Sequence, residues 1–166
     1  MHFQHPVISE QLLDRAIDSL PSRTHGIHGL THWLRVERNG LYLASSVDAD
    51  LVVVSLFALF HDCRRFNDGA DPDHGARGAR LAEELYWENQ LTITEDQLHA
   101  LVFACERHTD TTFTDIATVG CCWDADRLDL TRLGIAPEPG LLNTDPARKL
   151  AGSQNFEPLE HFNLNP

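Results

Sequence analysis

The sequence is poor in basic residues. Its 166 residues include 25 acidic and 13 basic side chains, which give a formal net charge of −12 at pH 7. A broad surface for double-stranded nucleic acid needs clustered Lys and Arg, so this charge balance disfavours such a partner. A small phosphorylated ligand is compatible with it, because a few cations can gather locally. Every basic residue except Lys149 is Arg, whose planar guanidinium suits phosphate oxygens, although genome composition explains that bias at least as well.

The sequence also lacks a long apolar segment and paired cysteines. The longest apolar run, 51–60, falls well short of the ~20 residues that a membrane helix needs. The N-terminal residues do not show the basic and then apolar stretches of a secretory signal. No CxxC motif is present, and the adjacent Cys121 and Cys122 are poorly suited to a structural disulfide. We therefore expect a cytoplasmic protein without a membrane partner, in which cysteines act as small buried apolar side chains.

Length and periodicity favour a single helical domain. A chain of 166 residues with 42% hydrophobic content can bury one sizeable core. Apolar residues recur at helical spacing between short turns rich in Gly, Pro and Asp. The expected helices cover about 9–20, 29–46, 51–61, 72–85, 94–108, 118–133 and 146–151. Pro21 ends the first of them, and the capping box at 94–97 begins the fifth. No pattern indicates an oligomeric state.

The segment from 51 to 60 is ambiguous on its own. Three consecutive valines at 52–54 favour a strand, and a short apolar run cannot distinguish a buried strand from a buried helix. Asp50 is a good helix N-cap, and the length up to His61 favours a helix buried on all sides. No strand–helix–strand pattern accompanies it. The sequence therefore predicts an all-α protein.

Histidine and aspartate residues on separate segments form a candidate metal site. His61 and Asp62 are adjacent and directly follow the buried run at 51–60. Imidazole nitrogens and carboxylate oxygens that converge from several helices bind borderline or hard divalent ions. The candidate ligands in chain order are His32, His61, Asp62, His74, His108 and Asp126.

Four of these residues carry a family resemblance. The chain resembles the HD-domain superfamily of metal-dependent phosphohydrolases over about residues 24–133. The family pattern is a His, an adjacent His-Asp pair and a distant Asp, each on a helix of an α-bundle. Those positions are His32, His61, Asp62 and Asp126, and 124–129 is similar to the C-terminal family signature. The resemblance implies a compact single-domain helical bundle of the HD-domain type over 1–166, with an irregular tail at 137–166.

His74 and His108 extend the resemblance to a second metal ion. Family members that hold two ions insert two further His residues at these places in the order, and Asp62 would then bridge both ions. The implied cofactor is one or two divalent ions, chosen from Mn, Fe, Co, Ni, Zn or Mg. Each His also has an ordinary explanation. His74 follows an Asp-Pro-Asp turn where a surface His is common, and His108 ends a helix, where it interacts favourably with the dipole.

The implied function is hydrolysis of a phosphate ester or anhydride of a small phosphorylated metabolite or nucleotide, by metal-activated water. Asp62 and Arg65 are the expected catalytic residues, because many family members carry Lys or Arg at the position of Arg65. Substrate binding is assigned to Arg65, His28 and Arg127, each of which could instead be an ordinary surface or loop residue. The role of His25 stays open between substrate contact, proton donor and plain loop residue.

Two other classes are compatible with the same residues. Some relatives with similar metal pairs use iron and oxygen for oxidative cleavage, so a di-iron oxygenase-like enzyme is one alternative. A non-catalytic binding module that keeps the metal for stability is the other. The near-complete ligand set argues against the binding module, whereas metal content would distinguish the oxygenase from the hydrolase.

Overall fold

The structure is a computed structural model that describes residues 2–20 and 26–164, so Pro21 and His25 lie outside the described residues. Its α-helices are α1 (Glu10–Asp18), α2 (Leu30–Ala44), α3 (Leu51–Phe60), α4 (His74–Trp87), α5 (Glu95–Arg107), α6 (Ala117–Leu128), α7 (Asp145–Ser153) and α8 (Glu157–Glu160). Short 3-10 segments cover Asp129–Leu133 and Pro139–Leu141. The described residues contain no strand, which confirms the predicted all-α class.

Helix α3 lies at the centre of the bundle, in contact with α2, α4, α5 and α6. Every residue from 53 to 60 is buried. The Asp50 carboxylate accepts hydrogen bonds from the backbone amides of Val52 (2.8 Å) and Val53 (3.3 Å), so it caps the helix as predicted. Burial on all sides therefore outweighs the β preference of the valines. His61 and Asp62 follow directly at the end of this buried helix.

Helix α4 packs closely against α3 and α5 because it carries glycine where they meet. A Cβ atom at Gly78 would lie 1.9 Å from the carbonyl oxygen of Phe60. A Cβ atom at Gly75 would lie 2.1 Å from the carbonyl oxygen of Cys105 and 2.9 Å from the His108 ring. Both distances are far below van der Waals contact. These glycines let the first turn of α4, including His74, approach the ends of α3 and α5.

The helix ends match the predictions in part. The capping box at the start of α5 is present, with Thr94 and Gln97 bonded to each other's backbone amides. The helix expected over 118–133 is α-helical only to Leu128 and then tightens into a 3-10 segment. It ends before Gly134, whose φ of 74° favours glycine. The tighter turn presents the Asp129 side chain toward α2, where it bonds to His32.

The C-terminal segment packs onto the core through α7 and α8. Helix α7 corresponds to the short helix expected at 146–151, whereas α8 and the 3-10 turn at Pro139–Leu141 were not predicted. Leu142, Leu150 and Leu159 are buried and belong to the core. Among the described residues, no helix is both long and apolar enough to cross a membrane.

Candidate metal centre

Helix ends bring the six candidate ligands together. His32 lies in the first turn of α2, and His74 is the first residue of α4. His108 directly follows α5, and Asp126 lies in the last turn of α6. All six line or border a cavity of about 230 Å³. The chain therefore places in one site residues that are up to 94 positions apart in the sequence.

His32, His61 and Asp126 form the first ligand group. The two Nε2 atoms of the histidines are 3.1 Å apart. The Oδ1 atom of Asp126 lies 3.3 Å from Nε2 of His32 and 3.7 Å from Nε2 of His61. Asp62 Oδ2 lies 3.5 Å and 3.6 Å from the same two nitrogens. Two nitrogens and two carboxylate oxygens thus face a common centre, as a four-coordinate metal site requires.

Asp62, His74 and His108 form the second ligand group. Nε2 of His74 lies 3.0 Å from Asp62 Oδ1 and 2.9 Å from Nε2 of His108. Asp62 thus turns one carboxylate oxygen toward each group. This arrangement suits a carboxylate that bridges two ions.

The hydrogen bonds at Nδ1, the ring nitrogen that points away from the ligand groups, indicate that each neutral histidine turns the lone pair of Nε2 toward its ligand group. Each Nδ1 faces an oxygen acceptor. For His32, His61, His74 and His108 in turn, the acceptors are the Asp129 carboxylate and the carbonyls of Phe57, Asp71 and Cys105. A carbonyl oxygen only accepts, so Nδ1 carries the proton and a neutral ring has its lone pair on Nε2. Facing lone pairs, as at His74 and His108 2.9 Å apart, repel each other unless a cation lies between them, so the donor set fits divalent metal ions.

The electrostatics of the site keep most of the ligands in the protonation state that a metal needs. Burial lowers the pKa of His61 to about 4 and also lowers the pKa of His108. Burial alone would raise the pKa of Asp62 and of Asp126, but the surrounding histidines lower both below the usual range. Neutral imidazoles and ionised carboxylates are the forms that coordinate divalent ions.

His32 is the exception, because three carboxylates surround it. Burial would lower its pKa, but hydrogen bonds to Asp126, Asp129 and Asp62 raise it well above 6.5. Without an ion, a proton on His32 therefore balances part of the carboxylate charge. Asp129 holds the ring from behind at 2.7 Å, and Arg35 and Arg132 each donate to that carboxylate at 2.6 Å.

Arg65 lies in the cavity beside the second ligand group. Its Nη1 atom is 3.4 Å from Asp62 Oδ1 and 3.0 Å from Nε2 of His74. Its Nε and Nη2 atoms donate to the carbonyls of Asn67 (2.9 Å) and Gly69 (2.8 Å). The turn after α3 thus holds the guanidinium beside the second ligand group, inside the cavity.

The two remaining predicted substrate residues have different surroundings. His28 lies in the cavity, with Nδ1 2.8 Å from Asp62 Oδ2, so it could contact a substrate or contribute a third histidine to the site. Arg127 lines a neighbouring cavity instead. Its guanidinium donates to the carbonyls of Thr111 (2.7 Å), Thr112 (2.8 Å) and Leu141 (3.1 Å).

Sequence reasoning missed Arg132, which lines the metal cavity, and Arg35 behind it. Spacing along the sequence could have identified both. Arg35 follows His32 by three residues and Arg132 follows Asp129 by three, so each arginine lies on the same helical face as its partner. Three other arginines near the site bind carboxylates outside the cavity. Those pairs are Arg64 with Glu84, Arg77 with Asp71, and Arg107 with Asp110.

The described residues thus form an all-helical protein with a histidine–aspartate site of the kind that binds metal ions. The chain is similar to the crystal structure of a predicted HD superfamily hydrolase from an uncultured Thermotogales bacterium. The two share 26% sequence identity with a TM-score of 0.68, over 90% of this chain and 86% of that one. No family model and no curated protein matches the sequence. The structural match confirms the resemblance to the HD-domain superfamily.

Proposed function

We propose that this protein is a metal-dependent phosphohydrolase that cleaves a phosphate ester or anhydride of a small phosphorylated metabolite or nucleotide. The similarity to a predicted HD superfamily hydrolase and the buried ligand groups support a hydrolase with a divalent metal cofactor. The observation that carries the proposal is the convergence of four Nε2 atoms on the two oxygens of buried Asp62, in a cavity that Arg65 and Arg132 also line.

The donors would divide between two ions. His32, His61 and Asp126 would hold one, His74 and His108 the other, and Asp62 would bind both. When bound, such ions lower the pKa of water and neutralise phosphate oxygens. The cofactor is one or two ions of Mn, Fe, Co, Ni, Zn or Mg.

The chain's own residues would position the phosphate. A protein of charge −12 repels anions at long range, so local cations must capture a phosphorylated substrate. Arg65 and Arg132 offer N–H groups that match phosphate oxygens. In phosphoryl transfer the protein contributes mainly positioning and charge stabilisation, which these two guanidinium groups supply.

Metal loading and a substrate panel test this proposal together. Protein purified without chelators is analysed for metal, reloaded with each candidate ion and assayed for phosphate release from nucleotides, sugar phosphates and phosphodiesters. We expect about two ions per chain and release from at least one substrate class. His108→Ala should lower the metal content toward one ion without loss of helical circular dichroism. The double variant His61→Ala/Asp62→Ala should lose both metal and activity.

A matched double variant, Asp96→Ala/His99→Ala, changes the same residue types on the exposed face of α5 and should retain both properties. Equal metal binding in the two double variants would overturn the metal assignment. A metal-loaded enzyme that releases no phosphate across the panel would overturn the hydrolase. A mixed-valence di-iron centre would then point to the oxygenase, and redox-inert metal without turnover would point to the binding module.

A further inference from the structure

A second cavity, of about 370 Å³, adjoins the metal cavity. The two share His108, Thr109 and Leu130 as walls, so the second space lies directly beside the ligand groups. The combined site is within the range of small-molecule pockets. The second cavity lies on the side of His108, between the turn after α5 and the irregular segment 135–142.

Six of the twelve residues that line the second cavity are apolar, and all six lie between 130 and 142. They include the side chains of Leu130, Ile135, Pro137 and Leu141. Three of these are strongly exposed, at 37% for Leu130, 51% for Ile135 and 49% for Leu141. Exposed apolar side chains grouped around one opening are typical of a ligand-binding surface.

The second cavity has one guanidinium and one carboxylate among its lining residues, so their charges balance. Arg127 is the one basic residue among its lining residues, and its guanidinium already donates to three backbone carbonyls. Those hydrogen bonds connect the turn at 111–112 to Leu141 and so hold two walls of the second cavity in place. The exposed carboxylate of Glu138 also lines the cavity and would repel a phosphate. The metal cavity thus has two arginines, Arg65 and Arg132, whereas the second cavity has one, whose hydrogen bonds are directed at carbonyls, beside a carboxylate.

From this division we propose that the second cavity binds the leaving group of the substrate, and that this group is an uncharged, apolar alcohol. The inference rests on the proposed function and narrows its substrate to phosphate monoesters of such alcohols. We expect esters of polar polyols to be poor substrates, because a polar leaving group does not match the apolar walls. We also expect molecules with a second phosphate to be poor substrates, because the Glu138 carboxylate would repel it.

Direct binding of a neutral alcohol tests the cavity without any need for catalysis. The probe is 1-naphthol, titrated into metal-loaded protein and followed by calorimetry and by its fluorescence. Ile135→Ser should weaken binding at least fivefold, and Ala136→Trp, which fills the same cavity, should weaken it as well. Trp87→Ser removes a more exposed apolar side chain, 72% exposed and far from this cavity in the sequence, and should bind like the parent.

A homologous series of n-alkyl phosphates tests the same cavity through catalysis. Each buried methylene should raise kcat/KM roughly three- to fourfold until the cavity is full, and Ile135→Ser should flatten that dependence. Absent naphthol binding, or binding that neither cavity variant weakens, would overturn the inference. Naphthol binding without phosphate release would instead leave the cavity assignment standing and count against the proposed function. A concentration-dependent dimer that Ile135→Ser dissociates, with naphthol binding unchanged, would assign the apolar residues to contact between copies of the chain.

Discussion

Replacing Arg65 by methionine should strengthen metal binding and weaken catalysis at the same time. The guanidinium Nη1 atom lies 3.0 Å from Nε2 of His74 and 3.4 Å from Asp62 Oδ1, the two atoms that would face a second ion. A fixed positive charge at that place repels a divalent cation. The same charge would attract a substrate phosphate.

The size of each effect follows from the distances. Two unit charges about 4 Å apart interact by about 4 kcal/mol at an effective dielectric constant of ~20. The side chain can swing away, although its bonds to the carbonyls of Asn67 and Gly69 resist this, so we expect a smaller net effect. A gain of about 1.4 kcal/mol, or tenfold in affinity for the second ion, is a conservative estimate. Loss of one charge-assisted contact to phosphate should lower kcat/KM by about 1.5–3 kcal/mol.

Competition against a metal-binding dye measures the affinity of each ion, and steady-state kinetics measure the loss in kcat/KM. Arg64→Met is the matched control, since the neighbouring Arg64 pairs with Glu84 near the surface. The control should leave both quantities unchanged. Second-ion affinity in Arg65→Met that is equal to or weaker than in Arg64→Met would refute the electrostatic reasoning. A selective gain in metal affinity with no catalytic loss would instead remove Arg65 from the phosphate site.

Two further predictions concern residues that support the site and the fold. Asp129→Asn should weaken binding of the first ion about 10- to 100-fold in the dye competition, because the charged acceptor behind His32 is lost; Asp110→Asn is an exposed control, and equal affinities would contradict the supporting role. Burial raises the pKa of Glu37 above 4.5, against hydrogen bonds from the amides of Gln4 and His5. The folded state therefore keeps the Glu37 proton to higher pH than the unfolded state does. As pH rises from about 4.5 through the raised pKa, the free energy of unfolding of the parent should fall relative to that of Glu37→Gln. A difference between the two proteins that does not change with pH in urea titrations would contradict that assignment.

The helical core was predictable because its signals are local. Asp50 and the capping box at 94–97 mark helix starts through bonds that span only two or three residues. The order of His32, the His61-Asp62 pair and Asp126 identified the candidate ligands before any distance was known. Burial resolved the ambiguity at the valines, since α3 packs against α1, α2, α4, α5 and α6.

The rest of the site depends on contacts without a periodic signal. The spacing of three residues places Arg132 beside Asp129, but the 3-10 turn that begins at Asp129 has no signal in the apolar periodicity of the sequence. The apolar walls at 135–142 belong to an irregular segment with no repeating pattern. Arg127 resembled a phosphate contact in the sequence, yet its side chain is bonded to backbone carbonyls from two distant segments.

The glycine at position 75 gives the second ligand group an unusual dependence on a missing side chain. A methyl group there would lie 2.1 Å from the Cys105 carbonyl oxygen and 2.9 Å from the His108 ring. Because that carbonyl accepts a hydrogen bond from the ring, the methyl group would disturb the contact that holds His108 in place. The three atoms nearest to that methyl group belong to Cys105 and His108, and none to the first ligand group. One nucleotide change in a glycine codon gives alanine, so if the chain binds two ions as proposed, a single mutation would convert it to one that binds one. Loss of the second ion, and with it a change of chemistry, would therefore be an accessible route of divergence for proteins with this arrangement.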